Sequence, residues 1–593
     1  MAIILQSHGG PDRKTQPRAR SDVRIEALLP ADGDIGVDEA ADFGFLLPPS
    51  DDPSDYLAPG AVDDLDRLGD LMVPARGVDT PDGEMPPVMT YWGQFLDHEL
   101  TARTDRETDL SRIENPAPTR TGAEIERLLK NARTPRFDLD SVYGGVPIGV
   151  FASDDLQRHA ATVSSGMRHP ANPAKMRVGS AVQQGNMPDG LDRHRDLPRF
   201  HQVAQRVRDA MLAIARAQMD DAGFAKFEAG LPKRALIGDM RNDENIIVAQ
   251  FHLSVLRFHN KVVDFLAEND TGWIADFDAA KTLTTLHYQW LAVEGFLKTM
   301  CDPDVVDTIL ANRARHFFEF RAAYAARNGT RTLGNAIPIE FSAAAYRFGH
   351  SMVRRAYDYN NTFGRPNGEA PFDQIFAFTG GGGLGAGFGL NNNAIPQNWI
   401  IDWSRFVTAD TSFTDGGNQR VTRAVDTSLA PPLGDMVNEG GGHPAGSDLH
   451  KMFRHLARRN LRRGLSLRLP TGQALHAHLK AVGAVATDPI ADVSAMISGN
   501  DPLVDFLRND GANLNDATPL WFYCLAEAEG TPGDRMGPLG SWIVASTFIG
   551  VLLDDPESAL SRDFSPSQSP LRMPDGSPVD SIEKWMKFAI VME

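Results

Sequence analysis

This 593-residue chain is nearly devoid of cysteine, with only Cys301 and Cys524. Two cysteines allow at most one bridge, so a disulfide framework is excluded. The lack of CxxC and of Cys/His pairs at metal spacing excludes a structural zinc site. Two buried free thiols are the expectation. Basic charge is also short, with 59 Lys and Arg against 78 Asp and Glu, a formal net charge of −19. That sign disfavours a general nucleic-acid surface or an anionic membrane and favours small-molecule partners. Nothing approaches the ~20 apolar residues of a membrane span. The opening Met-Ala-Ile-Ile-Leu is too short an apolar run for a signal peptide, and no basic region precedes it. The chain reads as soluble, with its compartment and any signal-independent export left open. Alternating β patterns are scarce, and βαβ order and internal repeats are absent.

What is there is globular: 42% hydrophobic and 23% charged residues. The length allows several ordinary domains or one large one. Residues 1–85 are rich in Asp, Pro and Gly and read as an extended arm on the core, and 86–593 as one large domain. Helical periodicity runs through 198–230, 245–268, 279–300, 338–355, 447–463 and 536–553, so the fold is expected to be mainly α. Gly380, Gly382 and Gly385 spell a formal G-x-G-x-x-G, but Asn391 to Pro396 follow where a helix is needed. It reads as a flexible loop and not as a dinucleotide site.

Five segments carry chemistry. Gln94-Phe-Leu-Asp97-His98 puts three polar groups among Trp92, Phe95 and Leu96. On a helix Gln94 and His98 share a face. A catalytic wall in an apolar pocket and a buried, hydrogen-bonded histidine both fit. Gly238 to Glu244 opens the helix at 245–268 with Arg241 and Glu244 three apart; ordinary helix-dipole partners are the alternative. In Tyr346-Arg347-Phe348-Gly349-His350, glycine beside histidine lets a flat object approach the backbone closely. Asn460 sits in the basic run Arg458 to Arg463, which alone reads as a solvated helix face. Thr134, Arg136, Asp138 and Asp140 offer a hydroxyl, a carbonyl and two carboxylates at alternate positions of an extended segment. Such oxygens suit Ca²⁺, or simply an Asp-rich turn.

In this order the five segments resemble the animal-type haem peroxidases, the superfamily of myeloperoxidase, lactoperoxidase and peroxidasin. The resemblance covers roughly residues 85–470 and continues, like bacterial members, through Leu539 to Ala545. It implies a large single-domain haem peroxidase fold with a catalytic domain at 86–593. Haem b is the implied cofactor, with His350 the iron ligand, Asn460 its hydrogen-bond partner and Arg347 beside it. His98, Arg241 and Gln94 are the implied catalytic residues, and Asp97 and Glu244 the carboxylates that can esterify haem. Hydrogen peroxide would be reduced through a ferryl state that draws electrons from a halide, thiocyanate or small organic donor, a chemistry tied to oxidative stress. Calcium would be held by Glu99, Thr134, Arg136, Asp138 and Asp140.

The chain departs from the family at three of these places. Glu99 stands where vertebrate members carry an Asp, and Asp140 where they carry a Ser. Asn245 replaces the Met that joins myeloperoxidase to its haem, so bromide, iodide or thiocyanate is expected over chloride. Two alternatives remain, a cyclooxygenase-like fatty-acid dioxygenase and a non-catalytic haem-binding or adhesion module. The dioxygenase tyrosine position is Arg347 here, and Tyr346, one residue earlier, is expected to turn elsewhere.

Overall fold

The computed structural model describes residues 41–592 apart from 76–79, 102–109, 111, 117, 132, 145–153, 184–191, 330–334, 365–367, 409–419, 438, 441–442 and 532–534. Residues 1–40, the first half of the expected arm, therefore lie outside the described residues. The fold is mainly α, as the periodicity indicates. The strands are short pairs, such as Phe43–Gly44 running parallel to Ile337–Pro338.

Six helices position the site. Helix α1 (Val62–Leu71) is the longest regular element in the described part of the arm. Helix α2 (Val88–Leu100) carries the Gln94 to His98 segment and ends at Thr101, whose extended backbone donates its N–H to Asp97 O. Helix α3 (Ile246–Glu268) packs on α2. Its start is set by Asn245, whose side chain accepts the Val248 N–H at 2.9 Å and so satisfies a donor the first turn leaves orphaned.

Helix α4 (Phe277–Leu291) runs into a π-helical segment, Ala292–Leu297. π-Bulges gather at functional sites because they shift the side chains that follow. Here Phe296 faces the main cavity, and a Cβ on Gly295 would stand 3.1 Å from the Trp92 ring of α2.

Helix α5 (Leu456–Ser466) has two working faces. Arg458 Nε and Arg462 Nε each lie 2.7 Å from a carboxylate of α1, Asp70 and Asp66, and both pairs are forked. Arg459 and Arg463 are 1% exposed. The basic run is therefore not a solvated face, because the acidic side of α1 covers part of it and the core takes the rest. Helix α6 (Pro538–Asp554) is buried on nearly every side. Its first turn donates the Leu539 and Gly540 N–H groups to the Glu527 carboxylate at 2.9 and 3.1 Å. Burial pushes that carboxyl up to about 7, and the two N–H groups pull against it. No helix among the described residues is long and apolar enough to cross a membrane.

Three expected helices are broken. The run 447–463 divides at His455, the run 338–355 divides at Ala344, whose backbone (φ −137, ψ −78) leaves the helical region, and the run 198–230 divides at Met219 and Asp220. The second break starts a 3₁₀ turn, Ala345–His350. Around the glycine loop, the Gly380 N–H donates to Asp243 Oδ2 at 3.0 Å and Lys233 Nζ to Gly383 O at 3.1 Å, so both ends are anchored. No α-helix follows it directly, in keeping with the rejected dinucleotide reading. Cys301 and Cys524 are both free and buried.

Gly550 in α6 tests this packing. Alanine normally favours a helix over glycine by about 1 kcal/mol. A Cβ there would stand 2.1 Å from Phe317 Cδ1, well inside contact distance. Gly550→Ala is therefore expected to lower the thermal unfolding midpoint, and a rise would show that the helix seats differently.

Candidate functional site

A cavity of about 130 Å³ lies between α2, the turn before α3 and the 3₁₀ turn at His350. From α2 it receives Thr90, Gln94, Asp97 and Thr101, which recur at helical spacing on one face. Arg241, Glu244 and Asn245 extend that wall. Tyr346, Arg347, Gly349 and His350 form the other. Sequence-distant groups expected to act together thus meet around a single space.

On the first wall, Gln94 is engaged at both ends of its amide. Its Nε2 donates to Glu244 Oε1 at 2.8 Å, and its Oε1 accepts from Asn245 Nδ2 at 2.9 Å. Asn245 thereby caps α3 with its oxygen and holds Gln94 with its nitrogen. The Thr101 hydroxyl donates to Asp97 Oδ1 at 2.7 Å. Arg241 precedes α3 on a 3₁₀ turn, Met240–Asp243. Its Nη2 pairs with Asp239 Oδ2 at 2.7 Å, and its Nη1 and Nη2 donate to Thr101 O and His98 O at 2.8 and 2.9 Å. Burial alone would raise the Asp239 carboxyl, but the Arg241 and Arg133 guanidiniums outweigh it and hold it well below the usual carboxylate range.

His98 differs from its expected placement. It is fully buried and is not among the residues lining the cavity, although Gln94 and Asp97 are. Its Nδ1 lies 2.8 Å from Asn242 Oδ1, which draws the ring toward the turn that carries Arg241. Asn242 Nδ2 in turn lies 3.0 Å from His252 Nδ1. Neither Asn242 nor His252 stands out in the sequence. Their spacing of ten residues across a helix cap carries no pattern of its own.

On the second wall, Asn460 of α5 meets His350, with Asn460 Nδ2 3.0 Å from His350 Nδ1. Arg347 Nη1 donates to Asn460 Oδ1 at 2.9 Å. A Cβ on Gly349 would meet no atom within 4 Å, so the space beside His350 is open. Tyr346 does not turn elsewhere. It lines the cavity, and its hydroxyl donates to Gly93 O at 3.0 Å. The break at Ala344 removes the continuous α-helix on which the expected rotation rested.

Behind α2, the carboxylates of Glu99, Asp138 and Asp140 lie within 4.8 Å of one another. Residues 134, 136, 138 and 140 are half-buried and their odd-numbered neighbours buried, as an extended segment with one side inward requires. Glu99 is wholly buried, and neither of its oxygens makes a well-formed hydrogen bond. Burial pushes its carboxyl up to about 7, Arg133 opposes that and Asp138 adds to it. Three acids facing mainly one guanidinium, with a buried carboxylate unsatisfied, form a donor set that fits a hard cation.

Residues 203–378 match the animal haem peroxidase domain family. The chain is 24% identical over 334 residues to a peroxidase-like protein of Margaritifera margaritifera, covering 54% of this chain and 36% of that one. It is 23% identical over 299 residues to the peroxidasin homolog pxn-2 of Caenorhabditis elegans, covering 46% and 21%. Peroxidase A from Dictyostelium discoideum superposes over 99% of this chain and 98% of its own, with a TM-score of 0.52 and 14% identity. The family match and the curated likenesses support the animal-type haem peroxidase superfamily, and the structural likeness shows the fold. It spans about a third or less of the curated relatives' length. The matched stretch contains Arg241, Glu244, Arg347 and His350, whereas Gln94, Asp97, His98 and Asn460 lie outside it. The animal haem peroxidase match implies haem, and the space beside Gly349 is open toward a flat group.

Glu99 gives the carboxylate cluster a pH signature. Its folded pKa is raised above the ordinary 4.5, so the stability it contributes without metal is present below pH 4.5 and lost as pH rises through about 7. Chelator-treated protein is expected to lose thermal stability across that window. Added Ca²⁺ should restore it at neutral pH, where the carboxylates are charged. Glu99→Gln should remove both effects, and equal melting with and without Ca²⁺ at neutral pH would reject cation binding here.

Proposed function

We propose that this chain is a haem-dependent peroxidase that reduces hydrogen peroxide at the expense of a halide, thiocyanate or small organic donor. The observation that carries this reading is the single cavity that joins Gln94, Asp97, Arg241 and Glu244 to Arg347, Gly349 and His350, with Asn460 behind the ring. Residues 86–593 are taken as the catalytic domain. The arm 1–85 is taken to pack on it, through the pairs between α1 and α5 in the part described.

Haem bound there would supply an iron centre whose open face activates peroxide. His350 would hold the iron through Nε2, which requires the proton on Nδ1. Asn460 then presents its oxygen to that proton, a half-turn of the amide from the arrangement in which Arg347 occupies Oδ1. Asp97 and Glu244, which both line the cavity, would form the ester links. His98 Nε2 would take the first proton of peroxide and return it to the departing oxygen. Arg241, charged at any accessible pH and fixed by Asp239, would stabilise the negative charge that develops as the peroxide bond breaks. Gln94 Nε2 has one N–H left after its bond to Glu244, enough to orient one water or halide. Calcium would be held by Glu99, Asp138 and Asp140, with Thr134 and Arg136 supplying further oxygens.

Purified protein loaded with haem should show a Soret band that shifts with peroxide, and His350→Ala should abolish the shift. A band and turnover unchanged in His350→Ala would reject the assignment. After turnover, acid extraction should leave part of the haem on the wild type and free all of it from Asp97→Asn/Glu244→Gln. Complete release from the wild type would rule out ester links.

Tyr346 on the cavity wall favours a second reading, a fatty-acid dioxygenase that uses a tyrosyl radical. The two separate cleanly: linoleate with oxygen should yield no hydroperoxide, while bromide or guaiacol with peroxide is oxidised quickly. The reverse outcome would establish the dioxygenase.

A further inference from the structure

Neutral imidazole has one donor and one acceptor nitrogen, and the partner of one nitrogen decides the role of the other. A primary amide has a donor end and an acceptor end. Behind the first wall these two kinds of group alternate. His98 Nδ1 lies 2.8 Å from Asn242 Oδ1, an atom that can only accept. The proton of neutral His98 is thereby placed on Nδ1. Asn242 Nδ2 lies 3.0 Å from His252 Nδ1, and because that nitrogen can only donate, His252 Nδ1 must accept. All three side chains are fully buried, so exchange of partners with bulk water is closed off.

Turning the Asn242 amide over would reverse every role. His98 would then carry its proton on Nε2 and have no lone pair there to accept another. The observed arrangement requires a neutral His252, which can accept at Nδ1. Burial pushes its pKa down to about 3, against the attraction of Asp239. The edge of the Phe95 ring, with centroids 6.0 Å apart, adds an apolar neighbour. A protonated His252 would donate from Nδ1 and claim Oδ1 for itself.

We propose that Asn242 and His252 are a positioning pair that fixes His98 as the Nδ1-protonated tautomer, leaving Nε2 its basic nitrogen. Its catalytic consequence rests on the peroxidase reading. The tautomer itself does not. Asn242 links the two rings, and a neutral His252 is what the arrangement requires. Neither touches a reacting atom.

The first test uses full-length protein without haem, labelled with ¹⁵N in histidine and read by NMR, with His98→Gln and His252→Gln assigning the signals. His98 is expected to show a protonated Nδ1 and a bare Nε2, and His252 the opposite. Asn242→Asp, whose oxygens both accept, should keep the His98 pattern, and Asn242→Leu should lose it. An Nε2-protonated His98 in the wild type, or an unchanged His98 signal in Asn242→Leu, would overturn the proposal.

The second test uses haem-loaded protein. Hydrogen cyanide must give up a proton on binding ferric haem, whereas carbon monoxide binds the reduced form with no proton transfer. Asn242→Leu should slow cyanide association about 100-fold, the low end of general-base contributions, and leave carbon monoxide association unchanged. Asn242→Asp should recover most of the cyanide rate. Equal slowing of both ligands, or of neither, would reject a positioning role. Absence of any Soret band in the wild type would instead sink the peroxidase reading, with the NMR result still deciding the tautomer.

Discussion

A chain of buried charges ties the cavity to the carboxylate cluster, and much of the site's geometry depends on it. Arg241 Nη2 pairs with Asp239 Oδ2 at 2.7 Å, and Arg133 Nη1 lies 3.6 Å from the same oxygen. The other end of Arg133 binds Asp140, one of the three carboxylates gathered at Glu99. Removing one partner from such a chain leaves an uncompensated charge out of water, a cost far larger than the net worth of the pair. The cavity guanidinium and the carboxylate cluster are therefore parts of one electrostatic unit, although their residues are spread from Glu99 to Arg241. A cation at the cluster would complete that unit from its far end.

Backbone groups finish what the charges begin. Arg241 spends its remaining donors on the carbonyls of His98 and Thr101. Those carbonyls belong to the last turn of α2, where a helix leaves acceptors unsatisfied. The guanidinium thus caps α2 while its own segment leads into α3. The orientation of these two elements is set by the side chain that the proposed chemistry needs most.

Much of this was legible in the sequence because it rests on local pattern. Helix α3 begins and ends within a residue of its expected bounds, since its apolar period is long and Asn245 marks its start. Gln94, Asp97, Arg241, Glu244 and His350 were recognisable as polar groups stranded in apolar surroundings, and they do share one space. What periodicity could not show was anything that depends on a distant partner. The break at Ala344 turns Tyr346 into the cavity, and the acids of α1 turn a basic run into an interface. The contact of His98 Nδ1 with Asn242 Oδ1 joins two distant segments, and no spacing within either announces it. The carboxylate cluster joins Asp138 and Asp140 to Glu99, which a helix distant in sequence supplies.

The π-helical segment at Ala292–Leu297 bears on how this chain tolerates change in length. A π-bulge is one residue inserted into an α-helix and accommodated without unwinding it. Deleting a single residue there would restore α geometry and leave the flanking turns in their present phase, whereas the same deletion in regular α-helix would turn everything beyond it by about 100°. A gap of one residue, ordinarily tolerated only in a surface loop, would here be absorbed inside a buried helix.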